Sequence, residues 1–208
     1  MRAERLLPSV LLGTFALLAT IAAVGDSVTG DEVAHLPAGY TYVATGDFRL
    51  NPQHPPLVKA LAALPLLFLD LNPVATTPGW SEGDEWRFGR HFLVNNRAPL
   101  EEIVLLARVP MIVIALLTGV FLYRFAEDLW GEAPALFVLF LFAFAPNLLA
   151  HGHLVTTDSA LACFTLLAVW RLWRFARSAR FNPEWEGFLR GEPIGTSTNP
   201  RSTHAPRS

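Results

Sequence analysis

The stretch IVLLARVPMIVIALLTGVFLY, Ile103–Tyr123, carries one charge, Arg108, in twenty-one residues. A helix needs about 20 mostly apolar residues to cross a bilayer, so this stretch reads as a membrane span. Three more candidates lie around it. Leu6–Val24 has nineteen residues and no charge, and Ala133–Ala150 has eighteen and no charge. Leu154–Phe175 contains Asp158, Arg171 and Arg174. The two arginines lie together at one end, where they can snorkel to the interface, and Asp158 lies at the other.

Composition agrees. The chain of 208 residues is 52% hydrophobic and only 16% charged, whereas a soluble domain carries roughly a quarter charged residues. A net charge of −2 gives no sign of a nucleic-acid partner, and Cys163, the one cysteine, excludes an intrachain disulfide. The expected fold is therefore all-α: a polytopic membrane protein with about four transmembrane helices. Arg2 and Arg5 ahead of the first span also fit a signal peptide. Its nineteen uncharged residues are long for that, and further spans follow, so a retained helix is the reading adopted.

Basic residues near the spans set the orientation. With a cytoplasmic N-terminus, Arg2, Arg5, Arg124, Arg171, Arg174, Arg177 and Arg180 lie inside, and the loop His151–Thr157, without Lys or Arg, lies outside. Both termini are then cytoplasmic, in the inner or plasma membrane. The long loop 25–102 is extracytoplasmic. Within it, Pro55–Leu69 is too short to cross and suits an interfacial or re-entrant helix. Gln53-His54-Pro55-Pro56 is expected to be a fixed non-helical corner, because a proline restricts the residue before it. Residues 1–177 form the membrane module. Residues 178–208 are expected to be a disordered cytoplasmic tail, since Gly191–Ser208 is rich in Pro, Ser, Thr and Gly.

This orientation collects His35, His54, His91, His151 and His153 at the outer face, with Asp31, Glu32 and Asp158. Ionisable groups are costly at membrane depth, so such a gathering is a functional signal. Thr29-Gly30-Asp31-Glu32 fits a capping box at a helix start, which accounts for Glu32 and leaves Asp31 as a favourable N-terminal charge. The same acids are also placed to serve a cleft. Glu32-x-x-His35 has the spacing of di-iron bundle ligands, but one copy is present where two are needed, and Pro37 is expected to disrupt the helix just beyond. His151-Gly152-His153 with Asp158 is open to a metal-ligand reading or a helix-start reading. Arg108 can snorkel to lipid phosphates or hold the phosphate of a substrate. A carboxylate base and a phosphate-holding Arg would suit general-base chemistry at the outer interface.

The ordered motifs Asp31-Glu32-Val33-Ala34-His35-Leu36, Gly39-Tyr40, Gly46-Asp47-Phe48-Arg49-Leu50-Asn51-Pro52-Gln53-His54-Pro55-Pro56-Leu57, Ala107-Arg108, Gly131, Ala145-Pro146 and His151-Gly152-His153-Leu154-Val155-Thr156-Thr157-Asp158 resemble a known family. They are similar to bacterial lipid-carrier-dependent glycosyltransferases, the protein O-mannosyltransferases and aminoarabinose transferases of the GT-C fold. The resemblance covers about residues 6–175. It implies transfer of a sugar from a polyprenyl-phosphate donor to an acceptor on the extracytoplasmic face, with inversion. It implies Asp31 as the catalytic base with Glu32 beside it, and Arg108, Asp158, His54, His35 and Lys59 as substrate-binding residues.

Where relatives often carry a Glu suited to ligand a metal, this chain has Gln53. No cofactor is therefore assigned, although a divalent metal stays open. Family members are longer, with eleven or more spans, so the chain is expected to be the N-terminal part of such an enzyme, with a C-terminal half as partner beside the membrane lipids. Two alternatives stand: a non-catalytic membrane subunit or remnant of a split transferase, and a metal-dependent membrane enzyme built on Glu32, His35, His151 and His153.

Overall fold

A computed structural model describes residues 6–179. Arg2, Arg5 and Arg180, and the tail beyond residue 179, lie outside the described residues. The chain divides into two compact units, residues 1–167 and 168–208.

The described residues are helical and contain no strand. In the first unit, α1 (Leu6–Gly25) is followed by three helices in the 25–102 loop: α2 (Gly30–Thr45), α3 (Pro56–Ala63) and α4 (Glu85–Val94). Then come α5 (Leu100–Trp130), α6 (Glu132–Phe144), α7 (Pro146–His151) and α8 (Asp158–Ala179), which runs on past the first unit. In the second unit Arg174 stacks on Trp170 and Arg177 on Trp173, each one turn along the helix. Among the described residues three helices, α1, α5 and α8, are long and apolar enough to cross a membrane.

The run expected as one span over 133–150 is divided. α6 ends at Phe144, Ala145 is extended at φ −69° and ψ 117°, and Pro146 opens α7. A residue before proline is pushed away from helical angles, while proline itself suits a first helical turn. Pro37 behaves differently from expectation, since α2 continues through it to Thr45. Proline cannot bond the carbonyl four residues back, which here is Val33. Gly89 of α4 packs on that carbonyl so closely that a Cβ at Gly89 would lie 1.9 Å from the oxygen. A close backbone approach, possible only without a side chain, thus covers the group that Pro37 leaves unbonded.

Pro55–Leu69 becomes α3 and a 3₁₀ segment over Leu64–Phe68, with Pro65 in its first turn. Two apolar cores result. One joins α2, α3 and α4 to the first half of α5 through Leu36, Leu50, Leu66, Phe88, Phe92 and Met111. The other joins α1, α5 and α6 through Phe15, Ala19, Leu139 and Phe142. α5 serves both, and Arg108 sits on it between Ala107 of the first core and Ile112 of the second.

Candidate functional site

The start of α2 carries two adjacent acids with opposite surroundings. Glu32 is fully buried and Asp31 is exposed. Glu32 reaches back to the Thr29 N–H at 3.0 Å, the return half of the expected capping box. Its two oxygens also accept from Arg108, Nε at 2.9 Å and a terminal nitrogen at 2.7 Å, from the Thr29 hydroxyl at 3.2 Å, and from the Val155 N–H at 3.2 Å. Burial pushes the Glu32 carboxyl up. The Arg108 hydrogen bonds, the Thr29 donor, the Arg108 charge and the Val155 donor outweigh it and hold the group below its ordinary value.

Arg108 is equally enclosed. Its remaining N–H groups donate to the carbonyls of Ala23 at 2.8 Å, Asp26 at 2.9 Å and Ser27 at 3.0 Å. A guanidinium has five N–H donors, and each one faces a protein oxygen. The phosphate-holding role expected of Arg108 would require breaking one of these bonds. As placed, Arg108 ties the end of α1 to α2 and, through Glu32, to the loop at Val155.

The rim beside this clasp is formed by Asp31, His35 and His54. Asp31 and His35 stand one turn apart on the same helix face, and their charges interact. The His54 ring meets His35 edge-on with centroids 4.9 Å apart. His35 Nδ1 lies 3.2 Å from the Val155 carbonyl, so Nδ1 carries the proton.

His54 is held there by a polar hub that the sequence reading did not foresee. Lys59 is buried, and its ammonium donates to the Asn51 carbonyl at 2.6 Å, the Asn51 side-chain oxygen at 2.8 Å and the Tyr42 hydroxyl at 2.9 Å. Asn51 adopts a left-handed φ of 51°, which Asn tolerates, and donates to Glu85 at 3.0 Å. Gln53 also donates to both Glu85 oxygens. Burial lowers Lys59 to about 8 against the opposing Glu85 charge. Three acceptors occupy its three N–H groups, so Lys59 fixes the 51–56 corner and has no donor to spare for a ligand. The available signal was the lone lysine in an apolar helix, which needs partners somewhere.

Asp158 is exposed at the first residue of α8. His151 is exposed, whereas His153 is fully buried with Nδ1 3.2 Å from the Leu149 carbonyl. Its Nε2 approaches Asp26 at 3.2 Å without hydrogen-bonding geometry. Among the described residues no three His, Cys, Asp or Glu side chains form a group that could hold a metal ion. The set Glu32, His35, His151 and His153 is therefore not assembled for that purpose. Two cavities of about 420 and 440 Å³ lie beside other residues, one between the start of α1 and the end of α5, the other at the end of α4.

Residues 104–196 match the family model of dolichyl-phosphate-mannose-protein mannosyltransferase. This match supports the family expected from the motifs. The matched segment contains Arg108, most of the α5–α6 hairpin, and the loop from His151 to Asp158; Asp31, Glu32 and His54 precede it. No curated protein and no solved structure matches the chain.

Proposed function

We propose that the chain acts as a membrane glycosyltransferase that moves a sugar from a polyprenyl-phosphate donor to a hydroxyl on the extracytoplasmic face. The observation that carries this reading is the division of labour between the two acids that open α2. Glu32 is neutralised and sealed by Arg108, and so holds the helix start in place. Asp31 projects at the rim, free to take a proton.

The acceptor oxygen attacks the anomeric carbon as its O–H proton passes to Asp31. The bond from that carbon to the phosphate oxygen breaks, and its electron pair leaves on the phosphate. One in-line displacement inverts the carbon. A positioned carboxylate base contributes about 10²–10⁴-fold to such a step. We assign substrate contact to His54 and Asp158, both of which are exposed. Glu32, Arg108 and Lys59 hold the frame.

The saturation of Arg108 favours a second reading, a non-catalytic membrane subunit on the same scaffold, because no guanidinium N–H is free for a donor phosphate. Reconstituting the full chain in vesicles with a mannosyl polyprenyl phosphate and a hydroxyl-bearing acceptor separates the two. Transfer with inversion is expected. A folded chain that transfers nothing would establish the subunit reading instead.

A further inference from the structure

His35 has one nitrogen committed and one open. The Val155 carbonyl can only accept, so Nδ1 must carry the hydrogen, and the neutral ring then presents a lone pair at Nε2. Among the described residues Nε2 has no hydrogen-bond partner, yet it is not sealed. The one buried side-chain N or O atom lacking a partner among the described residues is Nε2 of His153. His35 is 5% exposed as a residue, and an unpartnered Nε2 that is not fully enclosed takes part of that opening. A histidine kept only for packing would have no need of a solvent-reached lone pair one helical turn from Asp31.

The groups acting on the ring come from four places. Burial pushes it below the ordinary imidazole value; the Val155 carbonyl opposes this, His54 of the corner adds to it, Asp31 of α2 opposes it, and Lys59 of α3 adds to it. The imidazole is consequently neutral near pH 7, with Nε2 able to receive a proton.

We propose that His35 is the proton relay of this site. Resting on the transferase reading above, the relay acts after the displacement. The acceptor proton, first taken by Asp31, passes to the Nε2 lone pair, which restores the Asp31 carboxylate. The imidazolium keeps Nδ1–H on the Val155 carbonyl and releases the Nε2 proton to water on the His54 side. No bond other than O–H and N–H changes, and the net proton goes to solvent.

His35→Asn tests this, because an asparagine amide can occupy the place of Nδ1–H and keep the bond to Val155 while removing the titrating nitrogen. In vesicles holding the full chain, His35→Asn is expected to lower kcat by ~100-fold with an unchanged KM for the lipid donor. The acid-side fall of the parent's rate, below the ordinary imidazole value, should vanish in the variant, and added imidazole should restore part of the rate. A variant within about twofold of the parent with the same acid limb overturns the relay and leaves the transferase reading standing. Absence of transfer by the parent overturns both. Should His35→Asn fail to fold, nitrogen-15 NMR of the parent decides: Nδ1–H with bare Nε2 at neutral pH is expected, and the opposite tautomer overturns the relay.

Discussion

The clasp around Arg108 and the rim at Asp31 begin one residue apart, and they handle charge in opposite ways. In the clasp, Glu32 and Arg108 are both fully buried, and every guanidinium N–H meets an oxygen. In the rim, Asp31 is exposed, His54 is exposed, and His35 keeps one nitrogen open. Satisfied buried charges give geometry but leave nothing over for a ligand, because removing either partner strands the other. Exposed charges give little stability and stay available for chemistry. Adjacent acids at one helix start can therefore divide these duties.

The largest effect that would break this comparison is on stability. Arg108→Ala strands the Glu32 carboxylate and is expected to destabilise the protein by about 3–5 kcal/mol, read from unfolding in detergent. A loss below about 1 kcal/mol would show that the pair behaves like a surface contact. Glu32→Gln should fall between the two, since the amide keeps an acceptor for Arg108 but loses the charge.

Lys59 sharpens the comparison, as a buried cation without a carboxylate in contact. Its folded value, about 8, lies below its ordinary 10.5. Between these values the unfolded chain binds the proton that the folded chain has lost, so stability rises with pH. The expected slope is up to ~1.4 kcal/mol per pH unit from about pH 8 to 10. Above pH 10 the buried Tyr42, raised to about 12, opposes it, because its unfolded form ionises first. Melting of parent and Lys59→Met across this range checks the sign; a parent that loses stability from pH 8 to 9.5 contradicts it.

The smallest effect belongs to an exposed control. Arg97 and Asp70 meet at 2.7 Å, with side chains 56% and 79% exposed. Arg97→Ala is expected to shift stability by less than ~1 kcal/mol, and added salt should erase the difference.

Much of the scaffold was legible in the sequence, because uncharged runs of near-membrane length and the Thr29–Glu32 box are local signals. The Gln53–Pro56 corner was equally local. What pairs with Arg108 was not, since Glu32 lies 76 positions earlier and Val155 enters only through its backbone. Nor was Lys59's position, which depends on Asn51 taking a left-handed turn and on Glu85 of another helix. The two prolines went opposite ways from expectation. Pro37 stays inside α2 with Gly89 packed on the freed carbonyl, whereas before Pro146 the helix ends at Phe144 and the Phe142 carbonyl accepts from the Ala145 N–H. At Pro146 the local restriction before proline prevails, and at Pro37 a tertiary contact accompanies the continuous helix.

The division between the two acids is tested most directly by Asp31→Asn, measuring sugar transfer and unfolding on the same preparation. Transfer lowered by about 10²–10⁴-fold with unfolding unchanged is expected. Retained transfer, or a loss of stability matching that of Arg108→Ala, would contradict it.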